Sequence, residues 1–329
     1  MVWKDYRVRI LITGAGGFAG QHLIRHLAST NPENEIFATI YNASKPSQFP
    51  ETVTSIALDL LDEKRVLTVL DAVHPDAIYH LAAQSSPSLA MQSIWPTFEA
   101  NVKSQLNLIE GCLALNIKPR LLITTSGEVY HCDPTNPQPL TEETNLVATN
   151  PYALSKVTQD MMGYQYFLSH DFPIIRARPF NHTGPGQATN FVAPDFAFQI
   201  AQIEANLQKP IIRVGNLSAQ RDFTDVRDVV KAYVLLVEQG QPGLAYNIAS
   251  NKAYSIQYVL DTLLSFTKTD IDVLVDPDKL RSVDVPIKQG DYTRLHQSTG
   301  WKPTISFEQT LHDLLKSCRS RVQDSFRSS

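Results

Sequence analysis

Apolar runs of strand length that alternate with helix-length segments, a glycine triplet at the first strand-to-helix turn, and a loss of that rhythm after residue 180 predict an α/β fold. The expected architecture is a Rossmann-type doubly wound parallel sheet with a smaller C-terminal lobe. RILIT, EIFATIY, SIALDL, AIYHLAA, RLLITT and FPIIRARPF read as the strands, and residues 18–30, 62–73, 96–116 and 151–168 as the principal helices. Strand, helix, strand in repetition implies a parallel sheet covered on both faces. Beyond residue 180 come a loop NHTGPGQATNF, a helix near 192–208, a strand PIIRV, a helix near 226–238, a strand LAYNIAS and a helix near 254–267. VDPDKLRSVDVP reads as loop, and STGWKPTISFEQTLHDLLKSC as a turn and a closing amphipathic helix. Residues 1–180 are therefore the nucleotide-binding unit, which also receives elements near 225–250. Residues 181–329 mainly form the lobe that makes a cleft against the strand ends.

With 329 residues, 43% of them hydrophobic and 19% charged, the chain can fill a sizeable core. A formal net charge of −4 argues against a general nucleic-acid or anionic-membrane surface but leaves room for local basic pockets. Cys112, Cys132 and Cys318 are far apart and form no CxxC pair. That suits a reducing cytoplasm and neither a disulfide framework nor a thiolate metal site, and no metal is expected. The apolar part of MVWKDYRVRILITGAGG is too short, and too quickly broken by glycine, for a signal segment or a membrane span.

LITGAGGFAG sets Gly14, Gly17 and Gly20 directly after the first strand and at the start of a helix. Glycine there permits a tight turn, and the helix start offers unpaired N–H groups and a positive dipole end to a pyrophosphate. A glycine triplet alone is weak; its place between a strand and an amphipathic helix makes it specific. Folds of this kind that prefer NAD usually end the second strand in an acid that holds the ribose hydroxyls. TIYNASKPSQ carries none at that place, and Ser44 and Lys45 just beyond it suit a 2′-phosphate, which favours NADP(H). Lys45 also fits a solvated loop charge. Asp59 is a candidate for an adenine amine contact or, structurally, a cap for the helix near Asp62.

TTSGEVYH, residues 124–131, follows the fifth strand. Extended backbone here would aim Ser126 and Glu128 one way and Gly127 the other, so that a hydroxyl and a carboxylate share one site. NPYALSK puts Tyr152 and Lys156 four apart on a helix, hence on one face. An ammonium about 4 Å from a phenol, at an effective dielectric of about 20, contributes about 4 kcal/mol, or about three pKa units, and brings the phenol toward neutrality. Such pairs occur on ordinary helices. Preceded by a glycine turn and by a serine at a strand end, this one supplies an acid or base beside a nicotinamide.

GAGGFAG, HLAAQSS, TTSGEVY, NPYALSK and RDFTDVRD together resemble, in order and over essentially the whole chain, the extended short-chain dehydrogenase/reductase superfamily. RPFNHTGPGQ and PIIRVGNLSAQRDFTDVRD look like its nucleotide-sugar enzymes, most closely the GDP-4-keto-6-deoxy-D-mannose reductases that form GDP-D-rhamnose, with the GDP-mannose 4,6-dehydratases as the neighbouring family. The resemblance implies that Ser126 holds the sugar oxygen, Tyr152 transfers a proton, and Lys156 lowers the tyrosine pKa and binds the nicotinamide ribose. It implies a cofactor surface of Gly14, Gly17, Phe18, Gly20, Ser44, Lys45, Asp59, Leu60, Leu81, Ala82 and Ala83, completed by Tyr152 and Lys156. Gln84, Ser126, Asn181 and Asn216 then face a GDP-sugar in the substrate-binding lobe, and Arg221 and Arg281 clamp its pyrophosphate. A guanidinium offers a planar donor fork that matches phosphate oxygens and stays charged. Read structurally, Arg221 pairs with Asp222, Asp225 or Asp228, His182 positions Asn181, and Tyr130 packs beside the site.

Two reactions fit this resemblance. In reduction, NADPH gives hydride to a C4 ketone while Tyr152 protonates the oxygen. In 4,6-dehydration a base must also remove the C5 proton, and Glu128 is placed for it. Gly127 lacks a side chain that some dehydratases use as a partner acid, and the chain is shorter than those dehydratases and lacks their arginine-rich segment. Reduction is therefore favoured, with a dehydratase using Glu128 as the alternative. A UDP-sugar epimerase and a non-catalytic NADP-binding protein are further readings; the missing acidic NAD marker counts against the first, and retention of Ser126, Tyr152 and Lys156 against the second. By the same resemblance, the apolar faces of 96–116 and 151–168 build a four-helix homodimer interface. The expected partners are a GDP-sugar and a second copy of the chain, with neither nucleic acid nor membrane.

Overall fold

The computed structural model describes residues 7–41, 49–279 and 285–327, with side chains through 324; Ser44, Lys45 and Arg281 lie outside the described residues. The first half runs β1 (Arg9–Thr13), α1 (Phe18–Thr30), β2 (Glu35–Ile40), β3 (Val53–Ala57), α2 (Glu63–Val73), β4 (Ala77–His80), α3 (Pro87–Gln92), α4 (Ile94–Phe98), a π-helical segment (Glu99–Lys103), α5 (Ser104–Ala114), β5 (Arg120–Thr124), α6 (Pro151–His170) and β6 (Ile174–Pro179). The second half runs β7 (Asn181–Thr183), α7 (Val192–Glu204), β8 (Ile211–Val214), β9 (Gln220–Asp225), α8 (Val226–Gln239), β10 (Ala245–Ile248), β11 (Ala253–Ser255), α9 (Ile256–Ser265), β12 (Asp272–Val275), β13 (Ile287–Lys288), α10 (Thr293–Thr299) and α11 (Phe307–Arg327).

Seven strands of the described residues form one parallel sheet in the order β10-β6-β5-β4-β1-β2-β3. The period of two along each strand divides the core. Ile10, Ile12 and Leu122 face one layer with Leu23, Ile24, Val229 and Tyr233 of α1 and α8. Leu11, Leu121 and Ile123 face the other with Val66, Leu70, Leu108 and Ile109 of α2 and α5. Strand order reverses between β1 and β4, which opens a crevice at the carboxyl ends where such sheets bind ligands. Asn150 caps α6 by accepting from the Ala153 amide at 2.8 Å, with Pro151 at the first helical position, so the helix bearing Tyr152 and Lys156 starts at a fixed place.

The lobe packs Phe196, Ile200, Val259, Leu263, Leu311 and Leu315 of α7, α9 and α11 into its own core. Its strand β9 pairs with β7, β11 and β13, while β8 pairs with β12. α8 and β10 return to the main sheet, β10 lying beside β6.

Local structures depart from or add to the sequence reading: the stretch read as a loop, NHTGPGQATNF, begins with strand β7. The helix expected over 96–116 is broken by the π-helical segment, where buried Asn101 binds the backbone of Gln84 on both sides (2.7 and 3.2 Å) and donates to Ser155 Oγ at 2.9 Å. RDFTD, to which the sequence reading gave no element, is part of strand β9. TTSGEVYH is not extended past Ser126: residues Gly127–Val129 turn as a 3₁₀ helix, because Ser126 Oγ accepts from the Glu128 amide at 3.1 Å and draws the chain round. Among the described residues no helix is long and apolar enough to cross a membrane.

Candidate active site

At the end of β1 the chain turns through Gly14, whose φ of +69° lies in the left-handed region, where a side chain is strained. A Cβ at Gly14 would also stand 2.6 Å from the Ala82 nitrogen and 2.8 Å from the Leu81 carbonyl carbon. The turn therefore presses backbone against the HLAA segment, and the Leu81 and Ala82 amides bond to Thr13. A Cβ at Gly20 would strike the Gly14 carbonyl oxygen. Gly17 precedes α1 without any side-chain cap, so backbone amides begin the helix beside this cradle. Its shape and donors fit a dinucleotide pyrophosphate.

Around it, the Phe18 ring stacks on His182, with centroids 6.0 Å apart. Asp59 does not cap α2; Asp62 does, accepting from Arg65, while Asp59 accepts from the Leu61 amide at 2.9 Å and shapes the turn that carries Leu60. Ala83 and Gln84 follow β4, but the Gln84 side-chain amide donates to the Ser86 carbonyl of its own loop and to Thr97 Oγ1 of α4.

Tyr152 of α6 lies beside Ser126 just past the carboxyl end of β5, and burial of Tyr152 pushes its phenol up to about 12, against the lowering effect of the Ser126 hydroxyl. Lys156 Nζ lies 6.0 Å from the centre of the tyrosine ring and donates to the Thr124 carbonyl (3.0 Å) and Gln159 Oε1 (2.8 Å). Burial pushes this lysine down to about 7. The lowering of the phenol by Lys156 expected from sequence is not found in this conformation: burial dominates both groups, raising the phenol and lowering the amine.

Sequence reading missed the supports of this pair. Gln159 passes the lysine's contact to Gln105 at 2.9 Å, between α6 and α5. Below Ser126, buried Asp160 receives Arg176 (2.6 Å) and Arg178 (2.7 and 2.8 Å), and Thr125 donates to it at 3.3 Å. Burial alone would raise the Asp160 carboxyl, but the bonds and charges of Arg178 and Arg176 hold it low. Arg178 also donates to the Tyr130 hydroxyl, which donates to Asn247, so Tyr130 belongs to this buried network.

Glu128 leaves the 3₁₀ turn toward the lobe and meets Lys288 of β13, with Nζ 2.9 Å from Oε2. Lys288 stands in register with Arg221 of β9, whose guanidinium donates to the Gln220 and Val285 carbonyls (2.8 and 2.7 Å). The acids considered for Arg221 have other partners: Asp222 accepts from Ser250 and Gly290, Asp225 holds Arg227, and Asp228 holds Lys231 and Thr304. Asn181 is exposed at the start of β7, and Asn216 Oδ1 accepts from the Ser218 amide at 3.0 Å.

A parallel doubly wound sheet with a glycine turn after β1, a serine ending β5 and a Tyr/Lys pair on the following helix defines the extended short-chain dehydrogenase/reductase class. Within it, the chain belongs to the GDP-mannose 4,6 dehydratase family, whose profile matches residues 11–314. It is 31% identical over 316 residues to the GDP-6-deoxy-D-mannose reductase of Pseudomonas aeruginosa, covering 96% of this chain and 99% of that one. GDP-mannose 4,6 dehydratase 1 of Arabidopsis thaliana is 26% identical over 312 residues, or 93% of this chain and 81% of that one. The solved structure of RMD from Pseudomonas aeruginosa complexed with NADPH superposes with a TM-score of 0.83 at 30% identity, covering 95% of this chain and 99% of that one.

Proposed function

We propose that this protein is an NADPH-dependent nucleotide-sugar oxidoreductase that reduces the C4 ketone of a GDP-4-keto-6-deoxyhexose to a GDP-6-deoxysugar such as GDP-D-rhamnose. The observation that carries the reading is buried Tyr152 beside half-buried Ser126 just past the end of β5, in a chain similar end to end to a GDP-6-deoxy-D-mannose reductase. Bound NADPH supplies the hydride.

The residues do the rest. Tyr152, kept protonated at neutral pH by burial, donates its proton to the C4 oxygen as negative charge develops there. Ser126 shares that oxygen and is itself fixed by the Glu128 amide. Lys156 turns from Thr124 and Gln159 to the ribose hydroxyls and restores the tyrosine proton through them. Gly14, Gly17, Phe18 and Gly20 hold the cofactor pyrophosphate, Asp59 and Leu60 the adenine, and Leu81, Ala82 and Ala83 the nicotinamide half; Ser44 and Lys45 take the 2′-phosphate. Gln84, Asn181, Asn216, Arg221 and Arg281 take the GDP-sugar. The lobe of residues 181–329 supplies most of this second surface, and the enzyme works as a cytoplasmic homodimer. Proximity of Glu128 to Tyr152, through which its charge reaches the phenol, supports 4,6-dehydration as the second reading.

Reduction of GDP-4-keto-6-deoxymannose with NADPH deuterated at its transferable position tests the proposal. Deuterium bound to C4 of a 6-deoxysugar product is expected; unlabelled product, or none, overturns it.

A further inference from the structure

We infer that Lys288 is a specificity-determining residue of this site: it holds Glu128 in an ion pair and withholds that carboxylate from proton abstraction at C5, leaving the site to reduce ketones. The inference rests on the reductase reading above. A base at C5 takes the proton onto a carboxylate oxygen while the C–H electron pair moves into an enolate across C5, C4 and the carbonyl oxygen. Glu128 follows Ser126 by two residues and its charge reaches the Tyr152 phenol, but its Oε2 is 2.9 Å from Lys288 Nζ. Lys288 is 7% exposed, so protonating Glu128 strands a buried ammonium.

The pairing is built into the fold. A Cβ at Gly127 would meet the Phe180 ring at 3.0 Å, and a Cβ at Gly290 would meet the same ring at 2.6 Å. Two glycines thus close on one phenylalanine, one from the turn carrying Glu128 and one from the segment carrying Lys288. β13 is further fixed by pairing with β9, by the Gly290 amide on Asp222 (3.2 Å), and by Leu140 donating to the Gln289 carbonyl (2.8 Å). Gly127 also leaves the site without a second carboxylate there, and a Cβ at that position would press on the Phe180 ring.

Hydrogen exchange at C5 reads this directly. GDP-4-keto-6-deoxymannose is incubated in deuterium oxide with enzyme and NADP⁺, so that the ketone persists, and its C5 deuterium is followed by mass spectrometry. Wild type and Lys288→Arg should exchange no faster than the enzyme-free sugar. Lys288→Gln and Lys288→Met should exchange about 100-fold faster than it, the scale of a positioned general base. Adding Glu128→Gln to either should abolish the gain. Rapid exchange by wild type, or no gain in whichever neutral variant binds NADP⁺, overturns the inference. NADPH oxidation by wild type is measured alongside. Its absence sinks the reductase reading, whereas its presence with silent neutral variants sinks the role of Lys288 alone.

Discussion

At the scale of single residues, Tyr152 and Lys156 make opposite demands on burial. A proton donor to a ketone must hold its proton at neutral pH, and a phenol pushed up to about 12 does so. Tyr152→Phe should therefore lower kcat for ketone reduction by about 100- to 10,000-fold with NADPH affinity little changed; a loss of under tenfold in steady-state kinetics contradicts the assignment. Lys156 carries the converse strain. Its folded value of about 7 lies below the 10.4 or so of an unfolded lysine, so the unfolded chain takes the proton first as pH falls. The stability it permits is complete above about pH 10 and is lost as pH falls toward about 7, an effect of order 4 kcal/mol. Nucleotide-free Lys156→Met should melt above wild type near neutral pH, and the gap should narrow as pH rises toward about 10; a gap constant with pH contradicts this origin. The spacing of Tyr152 and Lys156 on one helix was legible in the sequence because it depends on helical period alone. The Thr124 carbonyl that receives Lys156 and the Lys288 that meets Glu128 were not, since each comes from another element.

At the scale of elements, the site is made by close approaches between segments. The Gly14 turn joins β1 to the end of β4, and Gly14→Ala combines a left-handed φ with a backbone clash. A loss of roughly 2–4 kcal/mol of stability is expected, together with loss of NADPH binding by fluorescence titration; native affinity would contradict the cradle. Gly290→Ala should push β13 from Phe180 and destabilise the protein by about 1–3 kcal/mol, measured by denaturant unfolding. The glycine turn could be read from sequence because strand, glycines and helix are contiguous there. The 3₁₀ turn at Gly127–Val129 could not be, since strand alternation was the simplest extension of β5 and the competing side-chain cap comes from Ser126 itself. β13 is two residues long and exists through pairing with β9, so no local periodicity marks it.

For the whole molecule, alternating strands and helices were enough to foresee the doubly wound sheet, and the return of α8 and β10 to it follows from their apolar faces. Which strands the lobe would build was less visible, because β7, β11 and β13 are two or three residues long and join β9 across long sequence intervals. The proposed homodimer can be placed on an exposed apolar stripe. Leu154, Met161 and Leu168 are exposed on α6 at seven-residue spacing, near exposed Ile94 and Trp95 of α4, a stripe suited to a second copy. Sedimentation should give a dimer for wild type and a 36.8 kDa monomer for Met161→Glu; a wild-type monomer contradicts the interface. Reduction at C4 and dehydration across C5 and C6 differ in what becomes of the cofactor. The measurement that decides between them pairs two incubations, GDP-4-keto-6-deoxymannose with NADPH and GDP-mannose with NADP⁺. Consumption of NADPH with formation of a GDP-6-deoxyhexose in the first, and no keto sugar in the second, is the predicted result; a keto sugar formed from GDP-mannose without net change in cofactor contradicts it.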